Sequence, residues 1–182
     1  MPESRFAEIV ILAEDRVQVR FIRSWLTKHV AHRNIKNRFA VDGSGEQFVR
    51  EHFADEARNH FRNAKKRSSM LIAVIDADSG EAVEHYRELK SRAQSDEGVF
   101  VFVPKRNIET WLRQLNDDSA NEVDDYKSSY RSETGQAIFS AGEKFLKHVR
   151  SRPESDDRLL PSLALGVKEA RRIPRLHEPA NR

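Results

Sequence analysis

Two apolar runs of strand length end in carboxylates, and these acids are the residues best suited to chemistry. Residues 9–13 are followed at once by Glu14, and the apolar run that begins at Met70 is followed by Asp76 and Asp78. Continuous apolar runs of this kind are typical of strands buried on both faces of a parallel sheet. Ligands bind such sheets outside the carboxyl ends of the strands. We therefore expect Glu14, Asp76 and Asp78 to meet at one edge of a sheet.

Acids gathered at such an edge predict a metal site. Crowded carboxylates repel one another unless a cation lies between them, and hard divalent cations prefer oxygen ligands. The small residue between Asp76 and Asp78 lets both side chains turn toward one space, where with Glu14 they could hold one or two Mg²⁺ or Mn²⁺ ions. Ions held in this way polarise a phosphodiester, activate a water and stabilise the leaving oxygen. The alternative interpretation is that Asp76 or Asp78 caps the next helix.

Composition limits the classes of protein to which the chain can belong. The sequence has 182 residues, a length typical of one domain with a real core. No apolar run approaches the roughly 20 residues that a membrane helix needs. The chain has no cysteine, which excludes disulfides, thiolate metal sites and a cysteine nucleophile. Because the first residues lack the apolar core of a secretory signal, we expect a cytoplasmic protein without membrane contact.

The charge of the chain is unevenly distributed. The formal net charge is only +3, yet from Lys144 onward basic residues outnumber acidic ones. A basic end beside an acidic metal edge suits a polyanionic partner, because Lys and Arg contacts to phosphate supply most non-specific affinity for nucleic acids. A solvated surface that happens to be basic is the alternative interpretation.

Alternating apolar and amphipathic segments predict an α/β fold, with a mostly parallel sheet of about four strands flanked by helices. The predicted strands are residues 9–13, 37–41, 71–75 and 99–103, and the predicted helices between and after them are residues 17–30, 46–66, 81–92 and 108–115. Helical periodicity at residues 138–149 and 159–173 predicts a helical C-terminal part. We expect one domain over residues 1–182, with a core at about 7–115 and a helical extension at about 122–182.

A Glu at the end of the first strand and an Asp-x-Asp after a later strand resemble the Toprim domain of topoisomerases, primases, recombination factors and OLD-type nucleases. The resemblance covers residues 7–115. The segment Val103-Pro-Lys-Arg-Asn-Ile-Glu109-Thr-Trp111 is also similar to OLD-type and related small Toprim-like proteins. It implies that Glu109 joins the metal shell, whereas a first-turn acid that favours the helix dipole is the alternative.

The resemblance also implies a lysine near the scissile phosphate, downstream of the last acid. Lys127 is the best-placed residue for this role, and Lys105 is its rival. The family usually has Gly after its first Glu, whereas this chain has Asp15, which could add a ligand or start the helix.

Four further residues are candidates for binding substrate phosphate. Lys105 and Arg106 follow the fourth predicted strand, and Ser44 and Gly45 precede a predicted helix in a glycine-rich turn. Backbone amides at such a helix start can face an anion. The alternatives are an exposed basic loop for the first pair and a helix cap for Ser44.

Together these patterns predict a Mg²⁺- or Mn²⁺-dependent enzyme that hydrolyses phosphodiesters, a nuclease that acts on nucleic acid, with DNA favoured over RNA. The resemblance implies a role in bacterial defence against phage or in DNA repair. Two alternatives stay open: a non-catalytic Toprim-like subunit that binds an ATPase or another protein, and a nucleotide phosphohydrolase. A homodimer is compatible with both the exposed strand edge and the chemistry on two strands.

Overall fold

A four-stranded, all-parallel sheet forms the centre of the protein. The computed structural model describes residues 8–30, 34–64, 69–116, 119–130, 135–151 and 158–174. The strands are β1 (Glu8–Ala13), β2 (Ile35–Phe39), β3 (Ser69–Val74) and β4 (Val99–Phe102), and they lie in the order β2-β1-β3-β4. Because every pairing is parallel, each connection must return from the end of one strand to the start of the next, and each of these crossovers contains a helix. The predicted fold class is confirmed.

Helices cover both faces of this sheet. They are α1 (Arg16–Val30), α2 (Gly45–Ala64), α3 (Ala82–Arg92), α4 (Ile108–Leu115), α5 (Lys127–Tyr130), α6 (Gly135–Arg150) and α7 (Pro161–Arg171). One buried cluster joins the sheet to α1, α4, α6 and α7, and a second joins its other face to α2 and α3. The helical C-terminal part therefore contributes to the same core as the first strand and helix.

Strand alternation assigns the apolar residues to these two clusters. Ile11 and Phe102 face the α1 layer, while Leu12 and Val101 face the α2 layer. Both sets are buried, which explains why the strands are continuous apolar runs rather than alternating ones. On the α1 side, the Trp111 indole N–H donates to Ser162 Oγ at 2.8 Å, so the polar atom of this buried ring is satisfied.

The second strand differs from its predicted position by two residues. Residues 35–39 form β2, in register from Ile9 opposite Ile35 to Ala13 opposite Phe39. Ile35 and Phe39 pack against the core, whereas Val41 is 84% exposed. The prediction of residues 37–41 was wrong because a short polar strand carries a weak pattern, and its pairing with β1 decided the boundaries.

Other boundaries differ less. The predicted end of the second helix falls on residues 65–66, which lie outside the described residues. The short helix α5 was not predicted. Within the described part of the chain, no helix is long and apolar enough to cross a membrane.

The outer edge of β4 is covered by a buried acid from α7. Glu169 Oε1 accepts a hydrogen bond from the Val101 backbone N–H at 3.1 Å and one from Lys90 Nζ at 3.1 Å. Its other oxygen accepts from Arg172 Nη1 at 2.7 Å and from the Tyr86 hydroxyl at 3.0 Å. An edge strand otherwise offers unpaired backbone groups, so this network satisfies the edge and fixes α7 against the sheet.

Candidate active site

Glu14 and Asp76 extend from neighbouring strands at the carboxyl edge. Ala13 of β1 pairs with Val74 of β3, so the residues that follow each strand emerge side by side. The Asp76 backbone N–H donates to Glu14 Oε1 at 2.7 Å. Asp76 is only 2% exposed, which places its carboxyl inside the protein rather than on its rim.

Gln18 joins these two acids and was missed in the sequence. Its side chain is fully buried: Oε1 accepts from the Glu14 N–H at 2.8 Å, and Nε2 donates to Asp76 Oδ1 at 2.9 Å. Asp15 Oδ1 accepts from the Gln18 N–H at 2.9 Å, as an N-cap residue does. The available signal was a glutamine on the apolar face of α1, three residues after an Asp.

Glu109 reaches the same region from α4. It is the second residue of that helix and is 2% exposed. Its Oε2 is buried and has no hydrogen-bond partner within the described part of the chain. A buried polar atom without a partner carries a desolvation penalty of roughly 1–3 kcal/mol, so a missing ligand is a physical explanation for it.

Lys127 is the basic residue that the structure brings to these acids. It opens α5, and its backbone N–H donates to Asp125 Oδ1 at 2.9 Å. The same oxygen accepts from Asn107 Nδ2 at 2.6 Å, which ties the start of α5 to the start of α4. Lys105, the rival in the sequence, instead forms an ion pair with Glu81 at 2.6 Å.

Burial dominates the electrostatics of the acids. It raises the pKa of Glu14 to about 7, helped by the charges of Asp78 and Asp15 and opposed by the Asp76 N–H and Lys127. Burial likewise raises the pKa of Glu109 to about 7. Burial and the neighbouring charges of Glu14 and Glu109 raise the pKa of Asp76 well above its usual range.

Burial acts on the pKa of Lys127 in the opposite direction from its effect on the acids. Burial lowers the pKa of Lys127, but the charges of Asp76, Asp15, Glu109 and Glu14 outweigh this effect and raise it. Lys127 therefore stays protonated at neutral pH. One ammonium group faces several buried carboxyls, and this local shortage of positive charge is what a divalent cation would correct.

The donors fit a hard divalent ion in type but do not form a complete cage. Every candidate ligand atom is a carboxyl oxygen, and Glu109 Oε2 lacks a partner among the described residues. Yet no three His, Cys, Asp or Glu side chains of the described residues are grouped closely enough to hold a metal. Mg²⁺ usually retains several waters and uses one or two carboxylates plus substrate oxygens, so an incomplete cage is compatible with it.

Asp78 lies on the rim of the site, near enough to Glu14 for its charge to raise the pKa of that carboxyl. Its side chain is exposed, and its backbone has the left-handed φ of 45°. It pairs in an isolated antiparallel bridge with Arg106, whose φ of 65° is also left-handed. Two rare conformations at this bridge fix the loops after β3 and β4 against each other. Glu81 occupies the N-cap position of α3, without a capping hydrogen bond from its side chain, so the helix-cap alternative for Asp76 and Asp78 is wrong.

Two of the predicted phosphate-binding residues, Ser44 and Gly45, have other contacts. Ser44 donates its hydroxyl to Asp42 Oδ1 at 2.6 Å and its backbone N–H to the same oxygen at 3.2 Å. A Cβ on Gly45 would lie 2.6 Å from Glu14 Cβ, so a glycine is required where α2 packs against the site. Asp42 thus occupies the donors of Ser44 that a phosphate would need, while Gly45 serves close packing.

Three basic residues of the described C-terminal part contact other groups of the protein. Arg150 donates to the Lys28 carbonyl at 3.1 Å, and Arg171 donates to the His148 carbonyl at 2.9 Å. Arg172 pairs with Glu169 and Asp96. These contacts hold α6 and α7 in place. Residues 175–182 lie outside the described residues.

A cavity of about 570 Å³ lies at the other end of the strands, between the sheet and α2. Six of its polar residues pair with one another: Lys36 with Glu8, Arg38 with Glu56, and the Ser69 hydroxyl with His60 Nδ1 at 2.8 Å. It contains none of the candidate site residues.

No protein-family model, curated protein or solved structure matches this chain.

Proposed function

We propose that this protein is a Toprim-like enzyme that uses Mg²⁺ or Mn²⁺ to hydrolyse phosphodiester bonds of nucleic acid, with DNA the favoured substrate. One observation carries the proposal: Glu14 and Asp76 meet at the carboxyl edge, where the Asp76 N–H donates to Glu14 Oε1 at 2.7 Å, and the buried Glu109 carboxyl and Lys127 lie near enough for their charges to act on Asp76. A cytoplasmic location and a role in defence or repair are part of this proposal.

Each residue has a distinct role in the proposed reaction. Glu14 and Asp76 would hold the ion, Glu109 would help to balance its charge from α4, and water or substrate oxygens would fill its remaining positions. A bound ion supplies an activated water and stabilises the leaving oxygen. Lys127 stabilises negative charge on the phosphate from a partly buried position, where such interactions are strongest. Asp78 adds negative charge at the rim.

The surroundings also support a polyanionic substrate. Arg16 and Arg20 are exposed on the first turns of α1, directly after Asp15. A positive charge at a helix N-terminus opposes the helix dipole, although the Arg16 guanidinium also lies 5.7 Å from the centroid of the Phe39 ring. Two exposed guanidinium groups near the start of α1 suit the phosphates of an extended polymer.

Calorimetric titration of Mn²⁺ tests the proposal. We expect the wild type to bind, Asp76→Asn to lose binding and divalent-dependent DNA cleavage, and both to give the same circular dichroism spectrum. Glu143→Gln is the matched control, because Glu143 is an exposed acid paired with Lys28 on the surface. Cleavage by folded Asp76→Asn would overturn the proposal. Turnover of small phosphoesters without any cleavage of polymers would identify a nucleotide phosphohydrolase.

A second candidate function is a non-catalytic binding subunit of a defence or repair complex. The incomplete cage among the described residues favours it, as does Asp15 where the family usually has Gly. Co-purification with a larger ATPase, together with an inactive pure protein, would support this alternative. Turnover by the pure protein would exclude it.

A further inference from the structure

We propose that Gln18 is a positioning residue that holds the Asp76 carboxylate and the Glu14 backbone in place for cation binding. This inference rests on the proposed function, because it assigns Gln18 a task toward the ion that these acids would hold. It predicts that the glutamine amide contributes to metal affinity without touching the metal.

The geometry around Gln18 is that of a bridge between two strands. Its Oε1 accepts from the Glu14 backbone N–H at 2.8 Å, and its Nε2 donates to Asp76 Oδ1 at 2.9 Å. The Asp76 N–H donates to Glu14 Oε1 at 2.7 Å, which closes the connection from the other side. Each carboxylate therefore has one oxygen fixed by an N–H donor.

The fixed oxygens determine which carboxylate oxygens remain available to a cation. Neither Glu14 Oε2 nor Asp76 Oδ2 has a hydrogen bond to another group in the described part of the chain. With one oxygen of each acid fixed, the second oxygen is held in a defined direction. Partners that orient metal ligands in this way typically contribute about 10–100-fold to metal affinity.

A helix-capping role alone does not account for these contacts. In a capping box, the glutamine three residues after the N-cap accepts from the N-cap N–H. Here the N-cap is Asp15, but Gln18 accepts from Glu14, one residue earlier, and its amide N–H reaches Asp76, 58 residues away. An amide supplies donor and acceptor together without adding charge to the acidic site.

Gln18→Met tests the bridge, because methionine keeps the length of the side chain but removes both hydrogen bonds. Gln114→Met is the matched control, because Gln114 likewise uses both ends of its side-chain amide but lies away from the acids. It donates to the Arg158 carbonyl at 3.1 Å and accepts from the Leu160 N–H at 2.9 Å. We expect Mn²⁺ affinity to fall about 10–100-fold in Gln18→Met and to stay unchanged in Gln114→Met, as measured by calorimetry.

The outcomes separate this inference from the function on which it rests. If Asp76→Asn abolishes Mn²⁺ binding while folded Gln18→Met binds like the wild type, the inference is overturned and the proposed function stands. If the wild type binds no Mn²⁺, both are overturned. Equal losses in Gln18→Met and Gln114→Met would show that general destabilisation, rather than positioning, is responsible.

A measurement on the unmodified protein covers the case in which Gln18→Met does not fold. In NMR spectra of ¹⁵N-labelled wild type, added Mg²⁺ should shift the side-chain amide resonances of Gln18 and leave those of Gln114 in place. Mg²⁺ that binds in an Asp76-dependent manner without moving the Gln18 resonances would overturn the inference.

Discussion

Two groups of buried carboxylates have opposite electrostatic environments in this protein. Glu169, at the edge of β4, is 2% exposed, and its two oxygens accept from Lys90, Arg172, Tyr86 and the Val101 N–H. Two cations and two neutral donors therefore satisfy one acid. The Glu169 carboxylate is needed at this position, because it accepts from the backbone of the edge strand and fixes α7 against the sheet.

Asp76 and Glu109, at the carboxyl edge, are equally buried but accept from no cation in the described part of the chain. Glu109 is also 2% exposed, yet its Oε2 has no partner in the described chain, and its pKa is raised to about 7. Glu14 and Asp76 share Lys127 as the nearby cation. Burial is thus common to both groups. The shortage of positive charge distinguishes the candidate active site from the structural acid.

The largest expected effect separates the two groups by stability. Glu169→Ala should lower the free energy of unfolding by about 3 kcal/mol, because it leaves Lys90 and Arg172 without a buried partner. This value is at the low end for a broken buried ion pair, since Asp96 also contacts both cations. Urea unfolding measures the loss, and Mn²⁺ affinity of the folded variant should stay at the wild-type value. A loss under about 1 kcal/mol would show that Glu169 is not the stabilising acid that distinguishes the β4 edge from the carboxyl edge.

Glu109→Gln should raise the free energy of unfolding, and the size of this increase should depend on pH. Below about pH 4.5 the carboxyl is protonated in both states, so the substitution changes little. As pH rises from 4.5 toward 7, the unfolded state loses the proton while the folded state keeps it, and the wild type loses stability. The variant should therefore gain up to about 3 kcal/mol over the wild type by pH 8. Urea unfolding of both proteins at several pH values measures this.

The comparison of two proteins removes other titrating groups from the pH result. Burial lowers the pKa of His60, which costs stability as pH falls through the same range, but this effect is common to both proteins. Added Mn²⁺ should stabilise the wild type at pH 8 and thereby reduce the advantage of Glu109→Gln. An advantage that is constant with pH would argue against a raised carboxyl pKa.

The smallest effects should appear at the lysine, through activity rather than stability. Lys127→Met should reduce cleavage by about 100-fold, a typical cost of removing one preorganised charge at a reacting group. Asn107→Ala should reduce it by less than about tenfold, because Asp125 still accepts from the Lys127 N–H. Lys105→Met should have no comparable effect, because Lys105 pairs with Glu81. Single-turnover rates measure all three, and an effect of Lys105→Met equal to that of Lys127→Met would refute the assignment.

Much of the framework follows from local sequence patterns. Continuous apolar runs predicted the buried parallel strands, and the helical periods of residues 17–30 and 108–115 predicted α1 and α4 almost to the residue. Glu14 and Asp76 were placed at one edge because parallel strands all end on the same side. The position of β2 could not be predicted as well, since its two apolar residues become meaningful only when paired with β1.

The sequence by itself determined that acids follow buried parallel strands, because residue type and period are local properties. Only the tertiary structure decided which groups meet. It turned Asp76 inward and Asp78 to the rim through left-handed backbone at Asp78 and Arg106. It also brought Lys127, rather than Lys105, close to the acids, and it placed Gln18 between Glu14 and Asp76. These outcomes depend on distances between segments far apart in the chain, which no local pattern specifies.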